Sequence, residues 1–299
     1  MSSQQETPSV DLSDAVETFA SVRPRLFGIA YRMLGTVADA EDVVQDAWLR
    51  WQNYDRSSVE NPAAFLATTT TRLAINAATS ARARHETYIG PWLPEPIDTT
   101  HDPSLGAERS EALEIAVLAL LEKLPPTERA AYVLREAFDY SYPQIADVIQ
   151  TTEGAARQMV SRARKHLASE RPARQVESSE RRRLLTAFLT AAQTGDLDEL
   201  ESLFVSDVAS YSDGGGIRGA SRIPVLGRET VAKYYRAFAT RFWVDTTVHV
   251  IEANGAPAAV LVRDGAIFAF VTLDASADGI QHLMWVLNPA KLERLSLSM

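Results

Sequence analysis

Between Thr152 and Leu167, six side chains combine charge with hydrogen-bonding capacity: Arg157, Gln158, Ser161, Arg162, Arg164 and Lys165. Forked guanidiniums and an amide can read base edges in a DNA major groove, while a lysine grips phosphate as a point charge. Chemistry of that kind needs a helix with one face docked and the other turned outward. The same stretch supplies one, because Ala156, Val160, Ala163 and Leu167 recur at helical spacing and Thr152 can cap the start. Upstream, Ser141 and Gln144 form a capping box for a shorter helix, with a proline in its first turn. The pair reads as a helix-turn-helix. The plainer alternative is an amphipathic pair with a solvated, charged face.

A second group could do acid–base work. Asp213, Asp245, His249 and His282 can each act as a general base, with Tyr211 as a hydrogen-bond donor. Asp213, however, opens Asp213-Gly214-Gly215-Gly216, and three glycines point to unusual backbone geometry or a close contact rather than a rigid base. His249 and His282 fall in alternating apolar runs, where histidines are more often structural. No catalytic residue, metal site or cofactor is therefore expected. Zero cysteines exclude disulfides and thiolate sites and agree with a cytoplasmic address.

The 299 residues allow two or three cores, and no run of about 18 apolar residues offers a membrane span. The polar, acidic N-terminus is not a signal peptide. A net charge of −9 argues against coating nucleic acid by bulk attraction. Residues 152–174 nevertheless hold six basic residues against two acidic ones. A chain charged in this way is expected to bind DNA weakly unless something else holds it there.

The elements fall in order. Residues 11–85 are helical throughout, with a stripe from Phe19 to Met33 and then a helix over Val37–Gln52. One side of that helix carries Val43, Val44, Ala47, Trp48 and Trp51; the other carries Asp39, Asp42, Gln45 and Asp46, with Glu41 at its edge. A polar loop after Tyr54 leads to a helix capped by Asn61 with Pro62 first. Arg72, Asn76 and Thr79 share one face of it. Residues 86–109 are proline-rich and read as an extended tether, although Trp92 and Leu93 within it should dock on something. Residues 110–172 form a second helical domain. From 180 to 299 the period changes: helices at Arg181–Thr194, Asp196–Val205 and Arg228–Phe242, then strands at Val244–Ala253, Ala258–Arg263, Ala266–Asp274 and Ile280–Leu287. Asn254-Gly255 and Asp264-Gly265 mark hairpins. The expected architecture is two all-α domains followed by an α+β domain.

The segment ADAEDVVQDAW resembles the polymerase-binding segment of bacterial sigma factors, and LEKLPPTERAAYVLREAFDYSYPQIA with TEGAARQMVSRARKHL resembles their minus-thirty-five-reading domain. The last domain resembles the cone-shaped, SnoaL-like domains related to ketosteroid isomerase. Trp92-Leu93-Pro94-Glu95-Pro96, the DGGG at Asp213–Gly216 (followed by Arg218 one place later than usual) and Asn288-Pro289-Ala290-Lys291-Leu292 match three motifs of one subgroup. Together the chain resembles the extracytoplasmic-function sigma factors that carry a C-terminal SnoaL-like domain. That resemblance implies that Asp39, Glu41, Asp42, Gln45 and Asp46 dock on a coiled coil of the largest core RNA polymerase subunit, with the flap of the second-largest subunit as a further contact. Tyr54, Arg72, Asn76, Thr79, Arg82 and Arg84 would serve the minus-ten element, and Thr152 with the six residues named first the minus-thirty-five element of promoter DNA. Trp92 to Pro96, Asp213 to Gly216, Asn288, Pro289, Lys291 and Leu292 would meet at a regulatory interface acting in cis, with no separate anti-sigma factor required. The alternatives are a C-terminal domain that binds or turns over a small molecule, and a helix-turn-helix regulator acting without polymerase.

Overall fold

The computed structural model describes residues 9–99, 113–170 and 176–295. The first domain is built on α1 (Ser9–Leu34), α2 (Val37–Asn53) and α3 (Pro62–Glu86). Thr36 caps α2, its hydroxyl accepting from the Asp39 amide at 3.3 Å. Asn61 caps α3 through the Ala64 amide at 3.0 Å. Trp51 is buried, its indole donating to the Ala15 carbonyl at 3.2 Å, and Trp48 packs on Phe19 with ring centroids 5.0 Å apart. Both tryptophans therefore belong to the core.

The second domain comprises α4 (Ile115–Glu122), α5 (Pro126–Glu136), α6 (Tyr142–Ile149) and α7 (Glu153–Glu170). The capping box at Ser141 and Gln144 is formed, and Gln150 takes a left-handed conformation (φ 55°) that ends α6 and turns the chain into α7. Thr152 caps α7 by accepting from the Ala155 amide at 3.2 Å. Ala156, Val160, Ala163 and Leu167 are buried, as their spacing requires. The first residues of this expected domain, 110–112, lie outside the described residues.

The two helical domains share one core. A single cluster of buried apolar side chains runs from Ala15 through Leu26, Leu66 and Leu134 to Leu167. Arg129, 2% exposed, donates to the Met33 carbonyl of α1 and pairs with Glu122 at 2.6 Å.

The third domain contains α8 (Ser178–Thr194), α9 (Leu197–Leu203), β1 (Phe204–Asp213), β2 (Val225–Leu226) and α10 (Arg228–Phe242), followed by β3 (Thr247–Ala253), β4 (Ala256–Arg263), β5 (Ala266–Ser276), β6 (Gly279–Val286) and α11 (Pro289–Leu292). The strand order is β2-β1-β6-β5-β4-β3. Strands β3 to β6 form the expected antiparallel meander, but β1 joins β6 in parallel, so the sheet is mixed. The helix expected over Asp196–Val205 stops at Leu203, and Phe204 begins a strand that the sequence reading missed. Its serines and aspartates mask the alternation, while Phe204, Val208 and Ala209 are buried. One sheet face packs on α8, α9 and α10. The other meets Leu93, Ile115, Leu292 and Leu295.

Candidate functional site

The tether is not free. Between Thr87 and Thr99 it lies extended against both neighbours. Tyr31 Oη donates to the Glu95 carbonyl at 2.6 Å, the Glu95 amide donates to the Gly35 carbonyl at 2.8 Å, and the Glu95 carboxylate accepts from the Val37 amide at 2.8 Å. Gly35 has φ +72°, and a Cβ there would stand 2.5 Å from the Trp92 ring. Burial pushes the Glu95 carboxyl above its ordinary range, with the Val37 amide opposing the shift.

On the sheet side, Asn254 holds the tether at Ile97. Its amide and side-chain oxygen exchange 2.9 Å hydrogen bonds with the Ile97 backbone, and its Nδ2 donates to Tyr31 Oη at 2.8 Å and the Leu113 carbonyl at 3.1 Å. Arg181 of α8 pairs with Glu114 at 2.9 Å, a second buried tie between the domains.

At the centre sits Asp213, fully buried at the end of β1. Its Oδ2 accepts from the Leu93 amide at 2.8 Å and from Lys291 Nζ at 2.7 Å, and its Oδ1 accepts from Tyr88. Lys291 also donates to the Leu93 carbonyl and lies 4.3 Å from the Trp92 ring centroid. Asn288 Nδ2 reaches Tyr88 Oη at 2.9 Å and caps α11 through the Ala290 amide at 3.2 Å. Desolvation lowers the Lys291 ammonium, opposed by Asp213, whereas burial and Asp213 together raise the Tyr88 phenol. The glycines answer to close contact. Gly215 (φ +57°) would place a Cβ 2.7 Å from Asn288 Nδ2, and Gly214 would place one 2.3 Å from Ala220. Leu93, Pro94 and Pro96 are buried here with Leu292, while Pro289 is exposed.

The acid–base candidates weighed from the sequence do not converge. Asp213 is taken up by Tyr88, Leu93 and Lys291, Asp245 and His249 are exposed, and His282 lies beside Asp274 at 3.6 Å on the sheet face with Tyr211.

On α2, Asp42, Gln45 and Asp46 are exposed; Glu41 pairs with Arg23 at 2.5 Å, and Asp39 accepts from the Thr36 hydroxyl at 2.5 Å. Tyr54, 47% exposed, rests on Phe65 with ring centroids 4.5 Å apart. Asn76 and Thr79 are exposed on α3, Thr79 donating back to the Ile75 carbonyl at 3.0 Å. Arg82 and Arg84 have side chains outside the described residues. Arg72, on the same face of α3, bonds across to the second domain. Its guanidinium donates to the Val148 carbonyl at 2.9 Å and the Asp147 carbonyl at 3.0 Å, at the C-terminal end of α6, where carbonyls lack intrahelical partners and favour a cation.

The cations of α7 face outward but are paired internally. Arg157 bridges Glu153 at 2.7 Å and lies 4.5 Å over the Tyr142 ring, Arg162 bridges Glu128 at 2.9 Å, and Arg164 bridges Glu136 at 2.6 Å, a bond that raises its pKa further. Gln158, Ser161 and Lys165 are exposed beside them. Tyr31, Gly35, Tyr88 and Asn254 were not singled out by sequence. Asn254-Gly255 signalled only the hairpin turn it also makes.

Sigma-70 region 2 matches residues 18–84 and Sigma-70 region 4 matches residues 114–167. The chain is 37% identical to the ECF RNA polymerase sigma factor SigJ of Mycobacterium tuberculosis over 231 residues, covering 76% of this chain and 74% of that one. It is 30% identical over 278 residues to the probable ECF RNA polymerase sigma factor SigI of the same species, covering 91% and 93%. The crystal structure of Mycobacterium tuberculosis SigJ superposes with a TM-score of 0.75 at 30% identity, over 95% of this chain and all of that one. Two sigma regions in order, a third domain shared with a solved sigma factor, and 37% identity over 76% of the chain lead to one conclusion: the chain belongs to the extracytoplasmic-function RNA polymerase sigma factors.

Proposed function

We propose that the third domain regulates this sigma factor in cis, in the cytoplasm, by holding the two DNA-reading domains together until they are released. The observation that carries this is the contact of Arg72 with the Val148 and Asp147 carbonyls. Promoter elements centred about 25 base pairs apart lie roughly 85 Å apart along B-form DNA at 3.4 Å per step. Two domains joined by a hydrogen bond cannot reach both. Opening them requires breaking the Arg72 contact, exposing part of the shared core and freeing the tether from Asp213 and Lys291. Release would return Arg72 to the minus-ten face beside Tyr54, Asn76 and Thr79. It would likewise let Arg157, Arg162 and Arg164 exchange carboxylate partners for phosphates and bases.

Core polymerase engages the exposed Asp42, Gln45 and Asp46 in either state, flanked by Asp39 and Glu41, so docking need not await opening. Differential affinity of polymerase and promoter for the open form drives the switch. No separate anti-sigma protein is needed for closure, because the closing contacts are all within one chain. Run-off transcription with purified core polymerase tests this. Lys291→Ala, and a chain ending after Arg174, should give several-fold more promoter-specific transcript than the full chain at equal polymerase affinity. Unchanged transcript and affinity in both would reject the reading.

A further inference from the structure

The two faces of the sheet differ in how well they are filled. In the parallel pair of β1 and β6, Ser212 stands opposite Trp285 and Tyr211 opposite Met284, so alternate residues point to opposite sides. On the helix-covered side, Tyr235 Oη bonds Ser210 at 2.5 Å and Trp285 Nε1 at 2.8 Å, and Phe242 and Trp243 close over them. The remaining cleft is about 30 Å³, too small for anything much larger than water. On the opposite side, where the sheet faces the tether and α4, a cavity of about 440 Å³ remains, the size of a small-molecule site.

Its walls come from two domains and the tether between the helical ones: Trp92 and Leu93 of the tether, Ala119 and Leu120 of α4, Tyr211 and Met284 of the sheet. Most of this lining is apolar. Of its charged groups, Lys123 is matched by Glu170 at 2.7 Å, and His282 stands 3.6 Å from Asp274. Arg222, at the exposed rim beside Gly90, forms no ion pair among the described residues. An apolar body with one anionic end satisfies both features, placing hydrocarbon against Trp92, Ala119 and Met284 and its charge against Arg222.

We propose that this seam between the sheet and the sigma domains is a binding site for a small amphipathic carboxylate. Because its walls belong to separate domains, the occupant binds the closed chain and not the open one, and so stabilises closure by mass action. This second step rests on the cis-regulatory reading above; the site itself does not.

Calorimetric titration of the full-length protein with decanoate, using decan-1-ol as the uncharged control, tests the site. Decanoate should bind more tightly than decanol. Arg222→Gln should weaken decanoate by about 10–100-fold, the loss of one charge-assisted hydrogen bond, and leave decanol unchanged. Ala119→Trp should abolish binding of both by filling the cavity, and Ala116→Leu, a milder filler, should reduce it if the tryptophan variant fails to fold. No heat with decanoate, equal affinity for the two probes, or binding indifferent to the fillers overturns the proposal. Decanoate that binds as stated but leaves run-off transcription unchanged upholds the site and rejects cis-regulation by closure.

Discussion

Asn254, in the turn between the third and fourth strands, donates its side-chain amide to the hydroxyl of Tyr31 in the first helix at 2.8 Å, across 223 positions of sequence. Both groups are buried, and the tyrosine hydroxyl passes the connection on to the Glu95 carbonyl at 2.6 Å. Burial also holds that phenol protonated far above its ordinary range, so it remains a donor throughout the working pH range. Tyr31→Phe removes one member of the chain and strands two polar groups. The variant should lose about 1–3 kcal/mol in urea unfolding, with helix content by circular dichroism unchanged.

Asp213 and Lys291 form a buried pair, 0% and 7% exposed. Removing one partner leaves an uncompensated charge, so Asp213→Ala or Lys291→Ala alone should cost about 3–5 kcal/mol. The double variant should cost clearly less than the sum of the two, as a double-mutant cycle by chemical denaturation would show. Additive losses would mean that the two groups act independently.

Glu95 gives a pH signature. Its carboxyl is raised by burial in the closed chain and returns toward 4.5 when the tether is released. A raised carboxyl pKa means that the closed form binds the proton more tightly. Closure therefore gains stability as pH falls from neutral through the raised value, and the gain is complete near 4.5. Arg294, Lys291 and Asp39 are the charged groups that act on it. Wild type minus Glu95→Gln, compared by urea midpoint at pH 7 and pH 5, should become more favourable to wild type at the lower pH.

Gly35 ties the first domain to Trp92. Its positive φ alone makes alanine cost about 1–2 kcal/mol, and the added Cβ would drive the indole from its seat. Gly35→Ala should shift tryptophan emission to the red and make the tether more sensitive to protease, while the helical domains stay folded.

Charge reversal at Asp42 and Asp46 tests the outward face of α2. Both are exposed on α2 and form no part of its buried face, so Asp42→Lys with Asp46→Lys should leave thermal stability within about 0.5 kcal/mol. Affinity for core polymerase should fall by roughly tenfold or more, because like charges across an interface cost several kcal/mol. Retained promoter-specific function would favour a regulator that works without polymerase.

The helical half was legible because its signals are local. Caps at Asn61, Ser141 and Thr152 and the apolar stripe of α7 need only neighbours within a turn or two. The first strand, Phe204–Asp213, was not legible, because burial on both sides comes from partners far along the chain and its serines read as polar surface. The three short motifs marked where the tether meets the third domain, yet nothing in their spacing announced that Asp213 would accept from Leu93, Tyr88 and Lys291 together. The contact of Arg72 with the end of α6 was not legible for a related reason. Helical spacing gives the face a residue occupies, but not which of two surfaces claims that face.

The order in which the clasp is assembled also matters. Lys291 follows Leu167 by more than a hundred residues, about 6–25 s of synthesis at about 5–20 residues per second. Throughout that interval the nascent chain already presents both DNA-reading domains without the side chain that completes the clasp. Under the proposed regulation in cis, each newly made molecule passes through a brief unguarded youth on the ribosome, and slow translation of the third domain lengthens it.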